Sequence, residues 1–581
     1  MTMDLKSRVL AGQGILKADT ILERCRILNV NTKEILDGNI AIRSGTIVGI
    51  GNVSGLKGED TNVIDIGGRF ISPGLMDGHV HVESSMVTLG QFSRAAMAHG
   101  TTSVVIDPHE IANVLGKDGI EILLNEARTL PLNVFVAIPS CVPATSFETN
   151  GASITTHDIE SLINNERVVA LGEMMDYSGV LAADEMRLSM IGTALDNKLV
   201  VDGHCPKLQG KELWGYMCAG ITTEHEAIEY DEALEKLRLG MTLMIREGSA
   251  ARSLEKFLPR LIRDGVSLEN VFFMTDDKHP GHLLHGYMDV IVRRAISMGL
   301  DPLDAISLCT INTARHYHVD HLIGSISIGR KADLVVLDDL EDFAIHSVYA
   351  NGQLHIDHLP EYKYPDHVFN TIEYGTITAE DLRLIATPGK EVGLNVIGVL
   401  PDEIMTQKIE VNMAPNSEGI LIPDVDRDLL SVAVVERHGK NGNIGRGFIN
   451  GFGLEQGAFG QSIGHDSHNV IVTGTAHSDM ALCVNHIKKM QGGICIVQDG
   501  KVIDSLPLPF AGLLSTWSVE EVDAKLTQMH QAMRQLGCTL PAPFITHSFI
   551  TLPVIPHIRL TDMGVFDVDS FRLTESIRGK M

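Results

Sequence analysis

The sequence predicts an α/β protein whose centre is a (β/α)8 TIM-like barrel, accompanied by a small composite β-sandwich and a separate C-terminal α+β domain. Between about residues 73 and 325, apolar strand-like runs alternate with helical stretches, the pattern of a parallel sheet with crossover helices. An interval of about 250 residues is the usual size of such a barrel. Short β-rich segments stand on both sides of it, which indicates a further sheet built from both flanks.

Composition limits the class of protein. The chain has 581 residues, 44% hydrophobic and 21% charged, so two or three ordinary globular domains are expected. A net charge of −27 argues against a nucleic-acid partner, a penalty that a free base or nucleoside does not carry. No apolar run is long enough to span a bilayer, no secretory signal opens the chain, and the eight cysteines form no C-x-x-C pair. We therefore expect a cytoplasmic protein without disulfides or membrane contact.

The flanking segments contain short strands separated by Gly, Asn and Asp turns. On the N-terminal side, within 1–72, β-rich stretches cover 20–30 and 39–51. Similar stretches return within 326–370, at 332–337 and 347–354. We expect the two sets to form one β-sandwich, with the barrel inserted between them in the sequence.

The barrel itself is predicted over 73–325. Linking segments such as 89–99, 117–128, 183–196 and 254–264 are long enough for right-handed crossover helices. The eight strand-like runs are 74–82, 102–107, 133–139, 168–174, 199–204, 221–225, 242–246 and 271–275.

A separate domain is predicted over 371–581. Its strands include 394–400 and 431–437. Ser518 and Glu521 form a capping box that opens an amphipathic helix running towards Gly537, and a second helix is predicted from Ser478 to near Gly492.

Two histidines end the first barrel run. His79 and His81 are two residues apart, so on a strand both imidazoles point to the same face. An H-x-H pair is a weak signal alone, since surface strands also carry paired histidines. At the carboxyl end of a barrel strand, where active sites of this fold lie, it indicates a metal site.

Other barrel runs end in ligand-type residues too. Glu173 ends run four, His204 and His225 end runs five and six, and Asp276 follows run eight. Four imidazoles and two carboxylates suit Mn, Fe or Zn better than Ca or Mg, and six ligands are too many for one catalytic ion with an open position. We expect two divalent ions, of Mn, Fe or Zn, bridged by Glu173 and a solvent oxygen. His79, His81 and Asp276 are assigned to one ion, and His204 and His225 to the other.

Several motifs resemble one family. The stretches PGLMDGHVHVESS, IDPHEIANVLG, GEMMDY, DGHCP, MIREGSAAR and TDD, with GHDSHNV and LPLPFAGLLS downstream, resemble the adenine deaminase family of the amidohydrolase superfamily over nearly the whole chain. The resemblance implies the barrel, the flanking sandwich, a Mn or Fe pair, and conversion of adenine to hypoxanthine and ammonia in purine salvage. Gly78 stands where some members carry alanine, a change expected to be harmless. Such barrels commonly pair, and a homodimer is expected.

Run four also separates subgroups of that superfamily. Some relatives bridge their ions with a carbamylated lysine there, whereas this run has no lysine and ends in Glu173. The carboxylate-bridged subgroup includes adenine deaminases and some deacetylases. A deacetylase, a deaminase of another aminopurine, and a paralogue that kept the barrel but lost catalysis are the alternatives.

Proton transfer is assigned to carboxylates near the ions. Two cations make a shared water acidic enough to attack C6 near neutral pH, while N1 and the leaving amine must each gain a proton. Asp276 is the first candidate to relay a proton to the amine, and Glu173 the second, as donor to N1. Glu83, on the same face as His81, is either a substrate contact and acid or a plain loop carboxylate. His109, with Glu110, follows run two and is placed in a substrate-contacting or supporting role rather than a helix start.

Remaining features have ordinary interpretations. Arg246 and Glu247 are expected to form a structural ion pair, and Asp277 to support a histidine. Cys205 is interpreted as a packing residue. Two further groups have weaker functional interpretations. His465, Asp466 and His468 resemble a metal site and could lie over the barrel mouth or build a subunit contact, but a third ion is disfavoured. Gly451, Gly453 and Gly457 resemble a dinucleotide loop, but their spacing favours turns.

Overall fold

The computed structural model describes residues 4–249, 251–355, 357, 360–401 and 403–578. A short helix, α1 (Leu5–Gly12), precedes a group of strands in which β1 is central, pairing antiparallel with β2 and parallel with β4 and β5. The bounds are Thr20–Asn29 (β1), Glu34–Arg43 (β2), Thr46–Gly51 (β3), Asn62–Asp65 (β4) and Phe70–Pro73 (β5).

Parallel strands then form the barrel. One sheet has the order β10-β9-β8-β7-β6-β14 and a second the order β11-β12-β13. The N–H of Thr222 donates to the carbonyl of Val201 at 3.1 Å and joins the sheets at one side, while only Thr275 separates β13 from β14 at the other. The bounds are Leu75–His81 (β6), Thr101–Ile106 (β7), Asn133–Ile138 (β8), Val168–Met174 (β9), Val200–Gly203 (β10), Thr223–Glu224 (β11), Thr242–Arg246 (β12), Val271–Met274 (β13) and Asp276–Asp277 (β14).

Helices surround these strands and bury their apolar faces against them. In α10, for example, Leu254, Phe257, Leu258 and Leu261 are buried while the intervening charges face outwards, the spacing of an amphipathic helix. The bounds are Leu89–Ala98 (α2), His109–Leu115 (α3), Lys117–Ala127 (α4), Thr156–Leu162 (α5), Tyr177–Leu181 (α6), Glu185–Asp196 (α7), Gly210–Cys218 (α8), Tyr230–Arg238 (α9), Leu254–Arg263 (α10), Pro280–His285 (α11), Met288–Ser297 (α12), Pro302–Ser307 (α13) and Ile311–His316 (α14).

After the barrel the chain returns to the first sheet. Strand β15 (Leu334–Asp339) pairs antiparallel with β5, and β16 (Ala344–Ala350) and β17 (Gln353–Leu354) extend the edge. The composite β structure predicted from the two flanks is confirmed, hydrogen-bonded as one eight-stranded sheet.

The C-terminal part is an α+β unit with its own eight-stranded sheet, of order β19-β18-β21-β20-β23-β22-β24-β25, and a three-stranded meander. The capping box of Ser518 and Glu521 is present at the start of α16. No helix within the described ranges is both long and apolar enough to cross a membrane. The bounds are Val392–Val399 (β18), Thr406–Met413 (β19), Leu430–Val435 (β20), Ile444–Asn450 (β21), Ala458–Gln461 (β22), Val470–Gly474 (β23), His477–Met490 (α15), Gly493–Gln498 (β24), Lys501–Pro507 (β25), Val519–Gln535 (α16), Pro543–Ser548 (α17), Ile558–Thr561 (β26), Gly564–Asp567 (β27) and Arg572–Thr574 (β28).

The C-terminal unit lies over the carboxyl ends of the barrel strands. The N–H of Ser515 donates to the carbonyl of Met86, just beyond β6, at 2.8 Å. The side chain of Asp562 accepts from the N–H and the hydroxyl of Thr149, in the loop after β8, at 2.9 and 2.7 Å. The barrel mouth is therefore covered by elements that follow it by more than 100 residues.

Gly78 lies on β6 with the barrel core directly against it. A Cβ at this position would come within 2.3 Å of Cε2 of Phe272, whose side chain is fully buried. A close-packed interior leaves such a ring little room to move. Glycine therefore fits this position, which agrees with the expectation that the change from alanine is harmless, and Phe272 occupies the space that a methyl group would need.

Candidate active site

All six predicted ligand residues meet at one end of the barrel. His79 and His81 come from β6, Glu173 from β9, and Asp276 from β14, while His204 and His225 directly follow β10 and β11. The carboxyl ends of parallel strands share one rim, which explains why residues separated by up to 197 positions converge. His204 is half-buried and the other five are buried.

Glu173 lies between two pairs of histidines and turns a different oxygen to each. Its Oε1 lies 3.3 Å from Nε2 of His81 and 3.9 Å from Nε2 of His79. Its Oε2 lies 2.7 Å from Nδ1 of His204 and 3.2 Å from Nε2 of His225. A carboxylate that faces two imidazole pairs with separate oxygens has the arrangement that a bridging ligand needs.

The imidazole nitrogens also suit cations. Nδ1 of His81 contacts the carbonyl of Asp107 at 2.8 Å, which favours a proton on Nδ1 and leaves Nε2 bare. That Nε2 lies 3.2 Å from Nε2 of His79 and 3.0 Å from Oδ1 of Asp276. Nε2 of His225 lies near Oε2 of Glu173 but makes no well-aligned hydrogen bond within the described part of the chain. These donors fit divalent ions held by imidazole and carboxylate groups.

Arg246 supplies the fixed positive charge beside this cluster. Its Nη1 lies 2.6 Å from Oδ2 of Asp276 and also contacts Glu226, and its Nη2 lies 3.2 Å from Oδ2 of Asp277. Burial by itself favours the protonated acid, but Arg246 and His81 outweigh it and hold the pKa of Asp276 well below its usual value.

Two expected pairings differ from the structure. Glu247 pairs with Arg294 instead of Arg246, because β12 turns its last arginine into the mouth and the next residue outwards. Asp277 accepts a hydrogen bond from the hydroxyl of Ser84 at 2.6 Å and pairs with Arg246, so it supports an arginine rather than a histidine.

Glu83 lies at the mouth with one oxygen in use and one free. Oε1 accepts from the N–H of Ile111 at 3.1 Å, and within the described ranges no group donates to the buried Oε2. Burial, with a smaller contribution from Glu110, raises the pKa of Glu83 to about 7. A carboxyl group of that pKa can carry a proton near neutral pH.

His109 opens α3 and lies against the ligand cluster. Its Nδ1 is 3.5 Å from Oε1 of Glu173 and 3.6 Å from Oδ1 of Asp107. Burial alone would lower the pKa of His109, but Glu110 and Asp107 outweigh it and raise the pKa well above its usual value. The position of His109 is therefore compatible with contact to a bound substrate.

Glu110 joins the barrel to the downstream domain, a partnership that sequence reasoning missed. Its Oε1 lies 2.5 Å from Nδ1 of His465, and its Oε2 contacts Nε2 of His468. The GHDSHNV motif marked these histidines as candidates, but nothing local identified a carboxylate 355 residues earlier as their partner. They lie over the barrel mouth, one of the two locations considered.

A pocket separates the mouth from the C-terminal unit. The barrel contributes acidic residues to its lining, and the C-terminal unit contributes mostly aromatic and aliphatic side chains. Its lining includes Glu83, Ser84, Met86, Glu110, Asp277, His279, Gln461, Ile463, His465, His468, Leu513, Phe544, Ile545, Ser548 and Phe549. Apolar walls with a few directed polar groups are typical of small-molecule sites.

A (β/α)8 barrel whose strand ends gather four histidines and two carboxylates belongs to the class of metal-dependent hydrolases. The amidohydrolase family model matches residues 70–355, and the model of the adenine deaminase C-terminal domain matches 403–572. The adenine deaminase of Methanococcoides burtonii is 65% identical over 575 residues, covering 99% of this chain and 98% of that protein. The chain belongs to the adenine deaminase family.

More distant relatives support the same assignment. An adenine deaminase of Dehalococcoides mccartyi is 42% identical over 579 residues, covering 99% of both chains. The adenine deaminase of Moorella thermoacetica is 42% identical over 585 residues, covering 98% of both chains. The family expected from the motifs is confirmed, and it implies a divalent metal and a small-molecule substrate.

Proposed function

We propose that this protein deaminates adenine hydrolytically, giving hypoxanthine and ammonia for purine salvage. The observation that carries the proposal is family membership over 99% of the chain, at 65% identity to one adenine deaminase. The strand-end cluster provides the ligands that the reaction needs, and the adjacent pocket has apolar walls for a flat base.

We further propose two divalent ions, with Mn²⁺ first and Fe²⁺ or Zn²⁺ as alternatives. His79, His81 and Asp276 would hold one ion and His204 and His225 the other, with Glu173 between them, as its two oxygens face the two histidine pairs. When bound, the ions supply a water acidic enough to act as a nucleophile near neutral pH.

The residues of the chain must then move two protons. Hydrolysis forms a C6–O bond and breaks the C6–N bond, so N1 and the departing nitrogen each gain a proton. Asp276 lies within 3.0 Å of His81 and is our candidate to carry the water's proton to the leaving nitrogen. Glu83, with a free buried oxygen, is the better donor to N1, since Glu173 is engaged by three histidines. His109 would contact the substrate.

Ultraviolet absorbance of adenine mixed with the purified protein tests the reaction, because loss of the exocyclic amine shifts the purine spectrum. We expect conversion to hypoxanthine with one ammonia released per base. Removal of metal by a chelator should abolish the activity, and Mn²⁺ should restore it, with two ions per chain by elemental analysis. A protein that hydrolyses acylated amines and leaves adenine unchanged would contradict the proposal and favour a deacetylase.

The bridging position is tested by replacing Glu173 with glutamine. An amide cannot offer an anionic oxygen to each ion, so metal content should fall and kcat/KM should drop by at least about 100-fold, the upper range for residues that only support metal ligands. Glu229→Gln is the control, since Glu229 is exposed and pairs with Lys256 on the surface. Unchanged metal content in Glu173→Gln would contradict the bridging assignment.

We propose that Glu110, His465 and His468 form a hydrogen-bonded clamp rather than a third metal site. Each carboxylate oxygen of Glu110 already contacts one imidazole nitrogen directly, at hydrogen-bonding distance. A count of three ions per chain that falls to two in His468→Ala would show the opposite.

The assembly and the domain limits are also proposals. The domain limits are 1–72, 73–325, 326–370 and 371–581, supported by the break between β5 and β6 and by the return of β15 to β5. A homodimer agrees with the exposed Trp214, Met186 and Leu195 on α7 and α8, and light scattering would measure it. A cytoplasmic location agrees with the described cysteines, all of which are free.

A further inference from the structure

The pocket over the barrel mouth has two chemically different sides. Glu83, Glu110 and Asp277 line it from the barrel, and Asp277 shares its partner Arg246 with Asp276 of the ligand cluster. On the opposite side Phe544 and Phe549 provide apolar surface. A bound base that presents C6 to the barrel side therefore directs its far edge to the C-terminal unit.

One polar side chain of that unit has no partner for its acceptor. Gln461 is 1% exposed and ends β22, which is paired on both edges, so its backbone position is rigid. Its Nε2 donates to the carbonyl of Phe544 at 2.8 Å, which orients the amide, and its Oε1 is buried with no hydrogen-bond partner among the residues that the structure describes. A buried acceptor in this state costs free energy unless a ligand supplies a donor.

We propose that Oε1 of Gln461 accepts the N9–H of the purine and thereby selects the free base against nucleosides and nucleotides. The inference rests on the proposed function, and it adds the residue that determines which purines enter. With C6 at the barrel side, the imidazole ring of the purine lies at the opposite end of the molecule. In a nucleoside N9 carries the sugar and no proton, so Oε1 would stay unpaired and the sugar would meet the wall of Phe544 and Ile545.

Two ligands of equal shape isolate this hydrogen bond. 7-Deazaadenine keeps an N–H at the position of N9, and 4-aminofuro[2,3-d]pyrimidine has an oxygen there instead. We expect the wild-type, metal-loaded protein to bind the N–H compound about tenfold or more tightly by calorimetry, since a mismatched analogue leaves a buried group unpaired.

Variants at position 461 then assign the preference to the side chain. Gln461→Met removes the acceptor, so the two ligands should bind within about threefold of each other, and KM for adenine should rise about tenfold with little change in kcat. Gln461→Glu should keep the preference, because a protonated carboxyl can still donate to the Phe544 carbonyl and accept from N9–H. Gln528→Met, at an exposed helical glutamine, is the matched control and should behave as wild type.

Each result decides between the explanations. The acceptor role is overturned if Gln461→Met prefers the N–H ligand as strongly as the wild type does. It is also overturned if Gln461→Glu loses this preference together with Gln461→Met. If Gln461→Met does not fold, as judged by thermal unfolding against Gln528→Met, the ligand pair in wild type and Gln461→Glu still decides. If the wild-type protein does not deaminate adenine, the proposed function is wrong. Calorimetry with the same two ligands does not depend on turnover, so it tests the role of Gln461 separately.

Discussion

At the scale of single residues, a buried lysine pairs with two carboxylates beside the site. Lys236 of α9 is 1% exposed and contacts Oε2 of Glu224 at 3.0 Å, Oε1 of Glu232 at 2.7 Å and the carbonyl of Cys205 at 2.7 Å. Burial favours protonated Glu224, but Lys236 outweighs this and lowers the pKa of Glu224 to about 2. Cys205 is thus packed beside a carboxylate, its pKa raised by burial, which agrees with a packing role.

Replacing Lys236 with methionine should lower the stability of the fold. Two buried carboxylates would lose their cation, and breaking a buried pair costs about 3–5 kcal/mol. Lys256→Met is the control, because its pair with Glu229 is largely exposed and such pairs contribute about 0–1 kcal/mol. Differential scanning calorimetry at pH 7 should show a large decrease of the unfolding temperature only for Lys236→Met.

The same pair predicts a pH dependence with a definite sign. The depressed pKa of Glu224 stabilises the fold above the unfolded value of about 4.3, and that contribution is lost as pH falls towards 2. The stability difference between wild type and Lys236→Met should therefore be largest near pH 7 and narrow below about pH 4. A constant difference across this range would contradict the role given to Glu224.

At the scale of elements, the eighth barrel strand is interrupted. β13 stops at Met274, and β14 resumes beside β6 with Asp276 at φ 62°, a left-handed conformation rare for residues other than glycine. The hydroxyl of Thr275 and that of Tyr287 both donate to Oδ2 of Asp77, each at 2.5 Å, which holds the break against β6. This break turns Asp276 towards His81.

Gly78→Ala tests how closely β6 packs against β13. The added methyl group would displace the ring of Phe272, and overpacking of a core typically costs about 1–3 kcal/mol. Because His79 follows on the same strand, metal content should fall together with the unfolding temperature. Gly192→Ala, where a Cβ meets nothing within 4 Å, is the control, and Phe272→Leu added to Gly78→Ala should recover part of the loss.

At the scale of the whole molecule, the site needs both ends of the chain. The barrel provides the ligand cluster, while β22, α17 and the loop with His465 and His468 complete the pocket. The clamp at Glu110 and the contact of Asp562 with Thr149 hold the two parts together. The C-terminal unit thus lines the candidate site together with the barrel.

Asp562→Ala should loosen this attachment without touching the ligand cluster. It leaves the buried N–H of Thr149 unpaired, at a cost of about 1–3 kcal/mol. We expect a higher KM for adenine, nearly unchanged metal content, and separate unfolding of the C-terminal unit in calorimetry. Asp569→Ala, which removes only an exposed contact with His557, should change none of these quantities.

Sequence alone was sufficient for the barrel and for the identity of its strand-end residues. Eight apolar runs alternating with helices over about 250 residues are typical of a (β/α)8 barrel, and in that fold the carboxyl ends of all strands share a rim. His79, Glu173 and Asp276 could therefore be placed together before any contact was known. The family motifs then predicted which reaction the site catalyses.

Only the tertiary structure decided how those residues are supported and what covers them. Arg246 pairs with Asp276 rather than with its neighbour Glu247, and Glu110 meets His465. Gln461 lines the pocket, and its Oε1 has no hydrogen-bond partner among the described residues. The Glu110–His465 contact joins residues 355 positions apart, and even the Arg246–Asp276 pair joins two separate strand ends, so such geometry is set by how complete elements and units dock. Local periodicity carries no information on that docking, because it records which face of an element is buried and not which partner buries it.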